Sequence, residues 1–532
     1  MWKQLWAKKS LSTLLEEMKG EERLHRVLGK VALTSLGVGA IIGTGIFVLV
    51  GKAAAQQAGP ALMLSFVVSA VACVFAALCY AEFASMAPVA GSAYTYSYTT
   101  MGEFFAWIIG WDLILEYAVA SSTVAHGWSH YFQSLFKSVT GYEWMKKWGN
   151  SPITFDPKTG DFGLSGHYLD LPAIFITLLV TIILVKGIKE STMFNALMVI
   201  LKVAIVFFVI IVGAFYINPD NWNNFAPYGY GGVSLPLTHN ELGEPTGFLT
   251  WLPKGMQSFF HNGIGQPTGV FAGAATIFFA YIGFDSISTH SEEAKNPQRD
   301  VPFAIIVSLV LCTILYILVA GVLTGMVPFD KINIDAPVSD AFTHQGLHFA
   351  AALISIGAVA GITSVLLVMM LSQPRVFLAM ARDGLLPESF FGAVHPKYRT
   401  PHKSTILTGI FVAVASALLP LDVLADMVNI GTLLAFVLVC AAVLIMRKTN
   451  PSAHRPFRAP LGPVVPILGI LTCLVLMLSL GRHNWERLAI WLAVGLVIYF
   501  CYGRRHSHLG RELRGEIAHH GLTPTDPTPP KV

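Results

Sequence analysis

Runs of about twenty apolar residues recur from end to end of this 532-residue chain, and about twenty is what an α-helix needs to cross the hydrocarbon core of a bilayer. They fall near residues 31–56, 61–87, 103–132, 169–188, 194–217, 268–290, 302–327, 345–374, 404–420, 423–446, 463–481 and 485–502, and are numbered below as segments one to twelve. Hydrophobic residues make up 54% of the chain and charged residues 12%, against about 25% charge in a soluble domain. A chain so poor in charge lacks the polar surface to stay dispersed in water. That excludes a cytosolic enzyme, a nucleic-acid module and a disordered scaffold. In lipid every backbone polar group must be satisfied within the protein, so the expectation is an all-α membrane protein with twelve transmembrane helices.

Twelve crossings place both termini on one side. Of the 35 Lys and Arg, the stretches on that side hold 25, the opposite side holds 9, and Lys202 lies inside segment five. The excess marks the termini as cytoplasmic. Residues 1–30 are too polar for a cleavable signal. With Trp2, Leu5, Trp6, Leu11, Leu14 and Leu15 they read as an amphipathic helix on the membrane face. Two outer loops, 133–168 and 218–267, are long enough to carry a role; a lid and a passive surface both fit. Residues 504–532 end in a Pro-rich stretch and read as a disordered tail. Cys73, Cys79, Cys312, Cys440, Cys473 and Cys501 lie in or beside apolar runs with neither metal-ligand spacing nor a disulfide framework, so they read as small apolar fillers.

Glycines distinguish a transporter from other twelve-segment chains. Segment one reads Gly37-Val-Gly-Ala-Ile-Ile-Gly-Thr-Gly-Ile-Phe47, with four glycines in nine residues, which is unfavourable for an unbroken helix. A dinucleotide-binding turn needs a preceding strand, whereas a charged stretch precedes this one. A small-residue packing face and an unwound, ligand-binding stretch remain. Segment six decides for the second, because Phe278-Phe-Ala-Tyr-Ile-Gly-Phe-Asp-Ser286 again puts glycine mid-segment, beside an acid. If segments one to five and six to ten are repeats, their odd number makes them inverted, and broken helices in matching places point to a transport site. The amides of Thr44 and Gly45, after the Gly43 break, would then attract a carboxylate. The carbonyls freed near Ile41, Phe279, Ala280 and Ile282 would attract an ammonium. An α-amino acid carries both groups.

Four stretches carry a family resemblance: Gly39-Ala-Ile-Ile-Gly-Thr-Gly-Ile-Phe47, Phe279-Ala-Tyr-Ile-Gly-Phe-Asp285, Glu292-Glu-Ala-Lys-Asn-Pro-Gln-Arg-Asp-Val-Pro302 and Arg375-Val-Phe-Leu-Ala-Met-Ala-Arg-Asp-Gly-Leu-Leu-Pro387. In this order they resemble the amino acid–polyamine–organocation superfamily, and within it the bacterial branch of the cationic amino acid transporters. The resemblance covers about residues 25–505. It implies a leucine-transporter-type core: a first inverted repeat over 31–217, an extracellular loop over 218–267, a second repeat over 268–447, and two further helices over 463–503. It also implies alternating access in a bacterial plasma (inner) membrane. The implied partners are L-amino acids and the lipid bilayer, with no nucleic acid; the sequence leaves the oligomeric state open, a monomer being compatible with it.

The charges inside the segments are few and expensive. A lysine at mid-membrane costs about 2.5–3.5 kcal/mol. Lys202 reads either as a structural donor to broken-helix carbonyls or as a titrating group, since burial penalises its charged form. In the resembling family a lysine in segment five stands where sodium-coupled relatives bind sodium, and it links segments one and eight. Carried to Lys202, this implies proton coupling with no sodium site and no cofactor. Glu116 in segment three and Asp285 past the break in segment six could face a cationic side chain, take part in proton movement, or pair with polar neighbours. Asp112 and Glu82 read as structural. Glu292, Glu293, Lys295 and Arg299 read as a solvated cluster, with a gate as the alternative; His126 and His290 read as satisfied polar residues. Met369 in segment eight matches the family position that limits pocket depth, which favours small or aliphatic substrates. A Walker-type loop is absent from the sequence, and no nucleophile–base pair or metal cluster stands inside the segments. The expectation is a proton-coupled permease rather than an enzyme, with an uncoupled exchanger, a polyamine carrier or a non-transporting sensor as alternatives.

Overall fold

The computed structural model describes residues 2–9, 28–86, 92–142, 147–156, 161–187, 192–234, 246–260 and 266–516. Most of the N-terminal amphipathic stretch, the Glu292 side chain, parts of both long loops and the end of the tail lie outside the described residues. Eight helical stretches are long and apolar enough to cross a membrane: Gly45–Met86, Glu103–Thr140, Leu197–Ala214, Val270–Thr289, Pro297–Met326, His348–Arg382, Leu421–Thr449 and Arg482–His506. Four shorter apolar helices, Lys30–Ile41, Leu171–Lys186, His402–Leu418 and Val464–Leu478, fall in segments one, four, nine and eleven. The only strands among the described residues form a hairpin, Ile153–Phe155 with Phe162–Leu164, in the first long loop. The chain is a multi-pass, predominantly helical membrane protein.

Local chemistry sets several helix starts. Asp170 accepts a hydrogen bond from the Ala173 amide and Pro172 follows it, a capped entry to segment four. Pro297 opens segment seven, where its missing N–H is not needed. Burial then ranks the helices. In segment six 94% of the most apolar window is buried and in segment three 78%, against 33% in segment five and 22% in segment twelve. Segments three and six are therefore central. The outer helices expose large apolar side chains such as Phe175, Ile182, Ile200, Ile211, Ile410 and Val497, an apolar surface that suits lipid and not water. Five cysteines are buried and Cys501 is exposed.

The two termini meet on one face. The Gln4 amide donates to Glu103 Oε1 at 2.9 Å and to the Arg504 carbonyl at 2.8 Å. Tyr98, Tyr499 and Ser507 donate to the same buried Glu103 carboxylate. This anchor corrects the tail expectation: His508–Leu513 is a helix, begun by Ser507 accepting from the Gly510 amide. Composition alone could not reveal a buried carboxylate waiting for its donors. Likewise Trp2–Leu5 docks on the protein, with Gln4 and Leu5 buried.

Glu82 is structural. Its carboxylate accepts from the Arg447 guanidinium and from the Ala459 amide, tying segment two to segment ten and the loop after it. Its side chain is 3% exposed and that of Arg447 10%. Removing one partner of a buried pair costs about 3–5 kcal/mol, whereas an exposed pair contributes about 0–1 kcal/mol. Glu82→Ala is therefore expected to lower the melting temperature of the purified protein by many degrees, whereas Glu486→Ala, which breaks the exposed pair with Arg482, leaves it nearly unchanged.

Candidate functional site

Both glycine-bearing stretches lose their helical winding mid-segment. In segment one Lys30–Ile41 ends, Ile42 turns extended (φ −72°, ψ 104°), and winding resumes at Gly45 as a π-helical turn, Gly45–Leu49. In segment six Val270–Ile277 tightens into a 3-10 turn, Phe278–Tyr281. Ile282 is extended, Gly283 has φ +117°, and a short helix resumes at Ser286. That φ is open to glycine and strained for other residues.

The breaks pack against each other reciprocally. A Cβ on Gly45 would stand 2.3 Å from Ala280 Cα, and one on Gly283 would stand 2.8 Å from the Ala40 carbonyl oxygen. Each glycine thus lets the other segment's backbone approach. The Tyr316 hydroxyl, from segment seven, lies 2.8 Å from the Ile41 carbonyl and 3.1 Å from the Ala280 carbonyl. The two freed carbonyls converge on one polar point. The Phe279 carbonyl accepts from the Ile282 amide at 3.2 Å, so one of its lone pairs is used inside the turn. The amides of Thr44 and Gly45 begin the resumed winding, where preceding carbonyl partners are lacking. The buried Thr44 hydroxyl has no hydrogen-bond partner within the protein.

Neighbouring segments hold this arrangement. Lys202 Nζ donates to the Gly39 carbonyl at 2.5 Å, and its alkyl chain lies where a Cβ on Gly361 would stand 3.1 Å away. The lysine joins segments one and eight. Val365 abuts Gly43; Gly361, Val365 and buried Met369 recur every four residues and so share one helix face. Gly127 of segment three faces the Thr44 methyl.

The acids form a second centre. Glu116 and Tyr117 lie in a π-helical turn, Leu115–Val119, a distortion common at functional sites. Tyr117 donates to Asp285 Oδ2 at 2.7 Å. Glu116 lies beside Asp285, though neither of its oxygens makes a hydrogen bond of ordinary geometry. Glu116 sits roughly 16 Å along segment three from Gly127, on the side of the termini. The acid pair is thus set apart from the amides of Thr44 and Gly45. Asp112 is buried next to Gly431 with both oxygens unpaired. His126 pairs with Asp170 at 3.1 Å. Tyr316 and Tyr117 join the site beyond the residues expected from the sequence; each is a polar side chain deep in an apolar run.

The chain matches the family described as "Amino acid permease" over residues 28–500. It is 46% identical over 508 residues to the branched-chain amino acid permease BcaP of Bacillus subtilis, covering 95% of this chain and 99% of the relative. It is 44% identical over 507 residues to the methylthioribose transporter of the same organism, with the same coverage. It is 38% identical over 432 residues to a vacuolar cationic amino acid transporter 4 of Arabidopsis thaliana, covering 81% of this chain and 65% of the relative. The chain belongs to the amino acid permease family.

The packing of the two breaks has a direct test. Overpacking a close-packed site costs about 1–3 kcal/mol. Gly45→Ala is expected to lower the melting temperature of the purified protein clearly, while Gly29→Ala, where a Cβ meets nothing within 4 Å, is expected to leave it within error of the parent.

Proposed function

We propose that this member of the amino acid permease family takes up L-amino acids across a bacterial plasma membrane by proton-coupled alternating access. In this reading the twelve segments cross as two inverted repeats of five plus two, with both termini cytoplasmic. The observation that carries it is the convergence of the Ile41 and Ala280 carbonyls on one point, 2.8 and 3.1 Å from a single hydroxyl. One hydroxyl proton can serve only one carbonyl at a time. A substrate ammonium brings three donors and satisfies both, with Ile282 and Phe279 carbonyls alongside. The substrate carboxylate meets the amides of Thr44 and Gly45 and the Thr44 hydroxyl, at the positive end of the resumed helix. Irregular backbone at membrane depth is tolerated where it lines a cavity, which fits a polar ligand between the breaks.

Coupling rests on Lys202 and the acid pair. Lys202 holds the Gly39 carbonyl, two residues before the break. Deprotonating it removes charge from the bond that ties segment five to segment one, so proton occupancy and the position of segment one are linked. Glu116 and Asp285 repel when both are charged, and a proton between them relieves that repulsion. Their closeness to each other, with Asp285 already held by Tyr117, leaves them poorly placed for a cationic side chain. With Met369 filling the face of segment eight, the reading favours small or aliphatic side chains over arginine. The resemblance to a branched-chain permease agrees. The methylthioribose relative supports a second reading, a thiosugar substrate that lacks both zwitterion charges.

Uptake of labelled amino acids into proteoliposomes tests these readings. An acidic exterior is expected to drive accumulation of alanine or leucine several-fold above equilibrium, and methylthioribose is expected not to compete. Uptake indifferent to the pH gradient would leave an exchanger; saturable binding without accumulation would leave a sensor. Lys202→Met is expected to lose at least tenfold of gradient-driven uptake.

A further inference from the structure

The loop after segment six and the start of the last family motif meet at one guanidinium. Arg375, near the termini end of segment eight, places Nη1 3.4 Å from His290 Nε2 and 3.8 Å from Glu293 Oε1. The protonation of the imidazole follows from its other nitrogen. His290 Nδ1 lies 2.8 Å from the Ser286 carbonyl, which can only accept, so Nδ1 carries the proton and Nε2 offers its lone pair to Arg375. The buried imidazole is therefore a neutral acceptor for the arginine, and Glu293 supplies the charge partner.

The same loop is joined to segment one. The Leu28 amide donates to the Glu293 carbonyl at 3.0 Å, and the Lys295 amide donates to the Leu28 carbonyl at 2.9 Å. This forms a parallel bridge between Leu28 and Ala294. Leu28 stands two residues before the helix Lys30–Ile41. A hold on the loop is thus a hold on the termini ends of both interrupted segments, whereas Arg375 belongs to a continuous helix, His348–Arg382.

We propose that Arg375 is the positioning residue of a latch on the cytoplasmic side, holding the inner ends of segments one and six closed through His290, Glu293 and the Leu28 bridge. The proposal rests on the transport reading above for its direction, since opening the site to the cytoplasm requires those two inner ends to leave segment eight. Arg375 touches no part of the site between the breaks. It sets which side the site faces. One guanidinium nitrogen, Nη1, serves both partners, at 3.4 Å from the neutral imidazole and 3.8 Å from the carboxylate; a lysine would keep the charge but place it on a compact ammonium.

Hydrogen–deuterium exchange of the purified full chain, read by mass spectrometry, tests the latch without requiring transport. Arg375→Ala is expected to speed exchange at least tenfold in peptides covering 28–41 and 286–296, and to leave peptides of segments three and ten unchanged. Arg375→Lys is expected to fall between it and the parent, and His290→Gln, which keeps an acceptor, to stay near the parent. Glu293→Gln, a change in the loop rather than the core, is expected to move the same two peptides in the same direction by less. In proteoliposomes Arg375→Ala is expected to raise the external KM several-fold with a smaller change in kcat, because the outward-facing form is depopulated. Unchanged exchange at 28–41 and 286–296 in Arg375→Ala and Glu293→Gln proteins that melt like the parent would overturn the latch. So would faster exchange spread evenly over all segments. A parent protein that moves no amino acid would instead overturn the transport reading and leave the exchange result standing.

Discussion

Peptide groups stripped of helical partners inside a bilayer explain more of this structure than any other feature. Each buried, unpaired N–H or C=O in hydrocarbon costs several kcal/mol. Two segments nevertheless give up their winding at mid-segment, at Ile42–Gly43 and at Ile282–Asp285. Everything packed around them answers that deficit. The Tyr316 hydroxyl reaches the Ile41 and Ala280 carbonyls and Lys202 reaches Gly39. The Ser286 hydroxyl turns back to Gly283.

The two breaks also protect each other. Gly45 makes room for Ala280 and Gly283 makes room for Ala40, so the backbones touch where side chains would hold them apart. Continuous helices supply the frame. Segment eight brings Gly361 to Lys202 and Val365 to Gly43 on one face, and Arg375 to the loop after segment six near its end. Segment three brings Gly127 to Thr44, then, towards the termini, the π-helical turn with Glu116 and Tyr117. The separation of the acid pair from the Thr44–Gly45 amides is a consequence of that frame: one helix serves two centres several turns apart. In the proposed function, segment six links the ligand site, to which it would contribute Ala280, with the acid pair, to which it contributes Asp285.

Much of this was legible in the sequence for plain physical reasons. Apolar runs mark helices because lipid leaves no alternative. The glycines at 43, 45 and 283 mark breaks because glycine is a poor helix former and mid-membrane is a poor place for one. Lys202 was conspicuous because charge in hydrocarbon is rare. What the sequence did not show was pairing. Glu103 gives no local sign that Gln4, Tyr98, Tyr499 and Ser507 converge on it, so the helix at His508–Leu513 read as tail. Glu293 read as a solvated charge because its partner, Arg375, is 82 residues away in the chain. Tyr316 was readable as a lone hydroxyl among Leu, Ile and Cys, but not that it would touch both breaks. Four segments are shorter than a full crossing as helices, because apolar composition extends past the caps and breaks that end the winding.

In the proposed function, bare backbone grips both ends of a zwitterion. Binding of L-leucine to the purified protein, measured by calorimetry in competition with N-acetyl-leucine and leucinamide, tests it most directly. N-acetylation removes the ammonium that would meet the Ile41 and Ala280 carbonyls, and amidation removes the carboxylate that would meet the Thr44 and Gly45 amides. The expected result is that each derivative binds at least a hundredfold more weakly than leucine. Binding of either derivative as tight as that of leucine would rule out a backbone grip on that end of the substrate.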